Sequence, residues 1–318
     1  MANVIAKMLL LGALSASVSI AVPGTGAAAD KTHRPLEAYV SEKMPPTFDT
    51  AEQAIEAFKT TVATGDFDKL ADLLGLDAAT TKASDGVMDT YADIQAGLKK
   101  KLLIEDVDGS KVLEIGDDLW PLPFPISKDK DGKWAFDTFA GLDEIADRLI
   151  GQNELETIDT MRAYVDAQND YALEDHDGDG VLEFAQKIIS SEGKQDGLYW
   201  PTEQGDGEES PAGAALADGA VLAKAKAGQG YFGYHYRVLT GQGDNIAGGK
   251  YDYIINGNMI AGFAAVAWPV EYGVTGVNTF LISRDGVAYQ ADLGEDTTKI
   301  AEGIRTFNPD DKWEVVKD

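Results

Sequence analysis

The sequence predicts an α+β protein with two folded parts. A small N-terminal domain of helices plus sheet is followed by a helix packed on an antiparallel sheet. Three observations carry this reading. Helical hydrophobic spacing runs through residues 50–101, punctuated by Gly65 and Gly75. It returns in residues 153–172, and from Tyr231 onward the apolar period drops to two.

Lys7, the apolar run 8–20 and the small residues Ala27, Ala28 and Ala29 have the order of a secretory signal peptide, with cleavage expected after Ala29. Residues 30–46, with Pro35, Pro45 and Pro46, read as an extended lead-in. The first domain is expected over 47–141 and the second over 142–318. In the first, Asp49 or Thr50 caps a helix carrying Ile55, Phe58 and Val62, and Asp66 caps another carrying Phe67, Leu70 and Leu74. A third helix is expected over 88–101. Residues 102–107, 111–115 and 134–136 read as strands. The prolines of 120–125 confine that segment to an edge or wall, with Trp120 as an aromatic plug. The pattern Ala51-x-x-Ala54-x-x-x-Phe58 followed by Gly65-Asp66 is shared by cone-shaped domains of the nuclear-transport-factor-2-like superfamily and by unrelated α+β units.

The second domain is organised around residues 153–189. After a short helix over 142–150, Asn153 and Glu156 form a capping-box pattern, with Glu154 and Glu156 placed to meet the positive end of the helix dipole. Leu155, Ile158, Met161, Val165 and Ala172 make one apolar stripe. An acidic loop follows, then a second short helix is expected up to Ile189. Residues 193–230 read as a long surface excursion anchored by Asp196-Gly197-Leu198-Tyr199-Trp200-Pro201. Strands are then expected over 234–239, 262–270, 278–283 and 287–290, with Arg284-Asp285-Gly286 as a hairpin turn. Gly241-Gln242-Gly243 and Gly248-Gly249 read as hairpin turns as well. A helix over 297–306 and a strand over 313–316 close the chain.

Composition narrows the function. The chain has 318 residues and a formal net charge of −27, which repels nucleic acid and anionic lipid as partners. There is no cysteine, so disulfides, thiol catalysis and cysteine–metal sites are excluded. After signal removal no segment reaches the roughly 20 apolar residues of a membrane-spanning helix. The expected location is the periplasm or outside the cell, with an envelope ligand or protein as partner and no membrane insertion.

Long strings carry a family resemblance: Trp134-Ala135-Phe136-Asp137-Thr138, Ile150-Gly151-Gln152-Asn153-Glu154 and Tyr164-Val165-Asp166-Ala167-Gln168, continuing through residues 196–201, 259–269 and 272–294. From about Phe48 to its end the chain resembles the exported bacterial family known as domain of unknown function 2950. That resemblance implies export and no assigned activity. Where such proteins have a cluster of arginines before the Asn-Glu pair, only Arg148 remains here, beside Leu149 and Gln152. The C-terminal half, through Asn153-Glu154, Gly233-Tyr234-x-Tyr236 and Gly262-Phe263-x-Ala265-x-Ala267-x-Pro269, is similar to the head domains of type IV pilin-like proteins. This implies a helix on an antiparallel sheet, without the long hydrophobic N-terminal helix that builds a filament.

Few residues are placed to carry chemistry. Asp175, Asp177 and Asp179 stand at loop positions one, three and five of a calcium-loop pattern, with Gly180 at six and Glu183 at nine; position twelve is Gln186 rather than glutamate. A calcium site and an acidic solvated turn both fit these residues. No cofactor other than calcium is expected. His33, His176 and His235 lack metal-ligand spacing, and no G-x-S-x-G elbow is present. Tyr199, Trp200, Tyr234 and Tyr236 fit a binding surface for carbohydrate or peptide, or else the core of the sheet. With no coherent catalytic set, the favoured expectation is a non-enzymatic periplasmic binding or interaction module. The alternative is a cell-envelope hydrolase using carboxylates near Trp200.

Overall fold

The computed structural model describes residues 36–84, 86–201, 209–213 and 228–317. The expected signal peptide and much of the expected excursion lie outside the described residues. The fold is α+β, with six α-helices and several antiparallel sheets among the described residues. Contacts divide the chain into two compact units, Met1–Leu149 and Ile150–Asp318.

In the first unit, α1 (Ala51–Thr64), α2 (Phe67–Leu74), α3 (Ala78–Lys82) and α4 (Val87–Leu98) precede the sheet. Thr50 accepts from Gln53 N at 3.3 Å and caps α1, while Gln53 Oε1 accepts in return from Asp49 N at 3.0 Å. Asp66 and Asp77 cap α2 and α3 in the same way. The strands are β1 (Leu102–Val107), β2 (Ser110–Ile115), β3 (Trp120–Pro121), β4 (Ile126–Lys128) and β5 (Trp134–Phe136). They pair in the order β1-β2-β4-β5, with β3 beside β2. The proline-bearing segment contributes only the two residues of β3, as its missing N–H donors require. The apolar face, with Leu113, Ile126 and Phe136, is buried under α1 and α4; the rings of Phe58 and Phe136 lie 5.8 Å apart.

Helix α5 spans Thr138–Tyr171 without a break. The expected boundary at Asn153 is therefore corrected: Asp137 caps the helix through Ala140 N at 3.0 Å, and no new helix begins at Asn153. The Asn-Glu pair points sideways instead of capping. Asn153 Nδ2 donates to Thr275 O at 2.8 Å, and Glu154 Oε1 accepts from Val277 N and Asn278 N at 2.9 and 2.8 Å. The buried stripe is also more polar than the apolar spacing suggested. Ile158, Met161 and Val165 are in it, but Leu155 is 63% exposed, whereas Thr157, Tyr164, Gln168 and Tyr171 are buried.

The sheet of the second unit is built from β6 (Tyr234–Leu239), β11 (Ala264–Pro269), β12 (Asn278–Ser283), β13 (Ala288–Asp292) and β14 (Glu314–Val315), in the order β14-β13-β12-β11-β6. Every residue of β11 is buried, because both faces are covered. On one face Tyr164 packs edge-on against Phe263 at 5.7 Å, and Tyr236 Oη donates to Thr157 Oγ1 of α5. On the other lies α6 (Thr297–Gly303), whose end carbonyls, Ala301 and Ile304 among them, accept from the Arg237 guanidinium. A cation there also meets the negative end of the helix dipole. Short pairs complete the unit: β7 (Gly241–Gln242) with β8 (Tyr251–Asp252), and β9 (Ile254–Ile255) with β10 (Asn258–Met259). Gly241-Gln242 is thus a strand rung and not a turn; the Gln242 amide instead gathers the following loop by donating to Ala247 O and Gly249 O.

The expected helix after the acidic loop does not form. Phe184 N donates to Met259 O, and Ala185 N donates to the Gln168 side chain, both at 2.8 Å, so neither is free for a helical bond.

Two substitutions test this packing. Gly141→Ala in α5 gains about 1 kcal/mol of helix propensity, yet its Cβ would lie 2.0 Å from the buried ring of Phe124. Overpacking of that kind costs about 1–3 kcal/mol, so the thermal midpoint falls; a raised midpoint would show that the ring yields freely. Gln168→Leu orphans the N–H and C=O of buried Ala185, at about 1–3 kcal/mol each. Urea unfolding should show a loss of about 2–6 kcal/mol, and an unchanged midpoint would refute the role given to the amide.

Candidate metal centre and the polar cleft beside it

The acidic loop begins where α5 ends. His176 Nε2 donates to Tyr171 O at 3.0 Å, and its ring stacks on the Tyr171 ring at 4.0 Å. The Trp200 ring, tilted to it, lies 5.6 Å away. This anchor turns the chain out of the helix and presents residues 175–181 to solvent. Asp175 Oδ1 accepts from Gly178 N at 2.8 Å and from Asp177 N at 3.3 Å, and its Oδ2 accepts from Gly180 N at 2.8 Å. Asp177 Oδ1 accepts from Asp179 N, and Asp179 Oδ1 from Val181 N. Gly178 and Gly180 both take positive φ.

The result is that the carboxylates of Asp175, Asp177 and Asp179 each present an oxygen within 4.8 Å of the others. Ligands 2.3–2.6 Å from a common calcium ion stand at most about 5 Å apart, so the three fit one hard cation. The N–H groups of Gly180 and Gly178, in that order of effect, hold the Asp175 carboxyl below the usual carboxylate range. Glu183, expected as a fourth ligand, is not among the converging groups. Its Oε2 accepts from Met259 N at 2.8 Å and so fastens β10. Asp179 Oδ2 accepts from Asn258 Nδ2 at 2.6 Å, tying the loop to the same hairpin.

A polar cleft of about 870 Å³ adjoins the loop, lined by His176, Asp177, Glu183, Lys187, Lys194, Asp196 and Asn258 among others. Asp196 is the most strongly held group in it. Its Oδ2 accepts from Lys187 Nζ at 2.6 Å and Ser191 Oγ at 3.0 Å, and its Oδ1 from Ser191 N at 2.7 Å. Burial alone would push this carboxyl up; the Lys187 and Ser191 hydrogen bonds and the Lys187 charge together outweigh it and bring it down to about 2. Sequence reasoning missed this cluster and Asn258. Lys187 and Ser191 have no motif spacing to Asp196, and Asn258 stands 79 positions from Asp179.

The aromatic residues sort differently from a surface. Trp200 is 3% exposed and Tyr234 is fully buried, so neither presents an open face. Tyr234 Oη donates to Asn278 O at 3.0 Å, and Gly276 leaves room for that hydroxyl, which a Cβ would meet at 2.0 Å. Tyr234 and Tyr236 line an apolar cavity of about 210 Å³ with Met161, Tyr164, Leu198 and Tyr231. Tyr199 is half-buried and pairs its backbone with Ile188 and Ser190. Burial pulls His235 below the usual histidine value. Arg148 is spent within the first unit, on Glu144 at 2.8 Å and Pro121 O at 3.0 Å. Among the described residues, no helix is long and apolar enough to cross a membrane.

No curated protein and no solved structure matches the chain, so the likeness to pilin heads has no solved counterpart. A family match does cover residues 46–316, taking in both units. The chain therefore belongs to the family described as "Protein of unknown function (DUF2950)".

Proposed function

We propose that this protein is an exported, non-enzymatic binding or interaction module of the periplasm or cell exterior, whose acidic loop takes a calcium ion. The observation that carries the reading is the convergence of Asp175, Asp177 and Asp179 on one point, with loop N–H groups holding the carboxylates in place. Export rests on the order of charge, apolar run and small residues before Asp30. The partner is an envelope ligand or protein rather than nucleic acid or lipid, as the charge of −27 favours. The helix lying on an antiparallel sheet supports a pilin-head-like scaffold for that role, without filament assembly.

A hydrolase using carboxylates near Trp200 is less well supported. Asp196 has its oxygens engaged by Lys187 and Ser191, and at about 2 it cannot act as an acid near neutral pH. Glu183 is committed to Met259 N.

Thermal unfolding at fixed ionic strength tests the calcium reading. Calcium at 100 times its dissociation constant should add about 2.7 kcal/mol, a rise of several degrees that a chelator reverses and Asp177→Asn abolishes. An unchanged midpoint would reduce the loop to a solvated turn. Acid unfolding tests Asp196. Its folded pKa is depressed, so its contribution is complete above the ordinary carboxylate value and is lost as pH falls toward about 2. Asp196→Asn should flatten the stability profile in that window; an unaltered profile would show that the ion pair contributes nothing.

A further inference from the structure

Strand β1 is the outermost strand of its sheet, and among the described residues it pairs on one side only, with β2. The hairpin closes at Val107↔Ser110 around Asp108 and Gly109, both at positive φ, a two-residue turn of the primed type. Lys101 O accepts from Gly116 N, so the Lys101 backbone faces β2. By antiparallel alternation Leu103, Glu105 and Val107 do the same, and the N–H and C=O groups of Leu102, Ile104 and Asp106 point outward.

Along this edge the apolar Leu102, Leu103 and Ile104 precede the acidic Glu105 and Asp106, and Val107 closes the strand. Leu103, Ile104 and Val107 are 41, 48 and 42% exposed. An outer strand of a monomer is commonly blunted by an inserted lysine, a proline or a bulge; β1 has none of these. At its start stands Lys99-Lys100-Lys101, the one run of three consecutive cations in the sequence, in a chain of net charge −27. At its end stand Glu105, Asp106 and Asp108. A strand that is positive at its start and negative at its end is complementary to itself when run antiparallel.

We infer that β1 pairs with β1 of a second copy of this chain, about a twofold axis at Leu103. The outward backbone groups allow only registers in which Leu102, Ile104 and Asp106 oppose one another. With Leu103 opposite its own copy, Leu102 faces Ile104 and Lys101 faces Glu105, while Lys100 and Asp106 keep the ion pairs they already make with Asp117 and Lys111 of their own chain. Shifting to Ile104 opposite itself sets Leu103 against Glu105 and Leu102 against Asp106. Shifting further sets Glu105 against Glu105, a like-charge contact. Charge and hydrophobic matching thus select the first register. The interface is isologous and closed, so it yields a dimer rather than a fibre.

Sedimentation of the purified chain over a concentration series tests this. The wild-type chain should be dimeric, with the dimer weakening as salt screens the Lys–Glu pairs. Lys101→Glu and Glu105→Lys each place like charges across the axis twice and should weaken the dimer about tenfold or more. The double variant Lys101→Glu/Glu105→Lys restores both pairs and should restore the dimer. These positions are exposed, and circular dichroism confirms that each variant folds. A wild-type chain that stays monomeric throughout overturns the inference and leaves the edge to an extended strand of another protein. Single variants that dimerise like wild type, or a double variant that stays monomeric, overturn it equally.

Discussion

Buried deep in the second unit, the Gln168 amide sits where a helix must lie flat on a sheet while an irregular segment passes alongside. It is fully buried, and its amide is used at both ends. Nε2 donates to Tyr164 Oη and Ala185 O, and Oε1 accepts from Ala185 N. Tyr164 Oη in turn donates to Ala264 O of β11. One side chain therefore stands in for a strand neighbour to residue 185 and joins α5 to the sheet. Unpaired, those groups would each cost more than the packing of a single methylene returns. Next to it Phe184 packs against Phe263 and its N–H donates to Met259 O of β10.

Much of the architecture was legible because it is written locally. Caps at Thr50 and Asp66, the glycines closing α1 and α2, and the Asp285-Gly286 turn act within four residues, so sequence spacing reports them. The strands β1, β5 and β12 carry apolar residues between polar or turn residues, and the structure reproduces their ends. The failures share a cause. Asn153-Glu154 has the chemistry of a helix start and is used as a tether to residues 275–278, more than 120 positions away. The segment after the acidic loop has helical spacing, but distant partners had already claimed its backbone donors. In both places a long-range hydrogen bond overrode a local preference, and a single sequence does not announce such partners.

The site divides along the same line. Alternating aspartates and glycine are a local pattern, and the structure sets an oxygen of each of the three aspartates within 4.8 Å of the others. Glu183 does not converge with them, and its Oε2 accepts from Met259 N. The aromatic residues were ambiguous from the start, since the ring that lines a groove and the ring that fills a core have the same composition. Burial decides for Trp200 and Tyr234. The family membership covers both units and supplies no chemistry of its own, so what can be said about activity rests on these side chains.

The hydrogen bonds that Asp175 accepts from its own loop have a further consequence. A loop that gathers its carboxylates only when an ion arrives must surrender conformational freedom at that moment, and the affinity is reduced by that amount. Here the freedom is already given up in folding, with Asn258 bracing the far end from a separate hairpin. Filling the loop would thus impose little new order, and the ion would act as a counter-charge on a frame that stands without it.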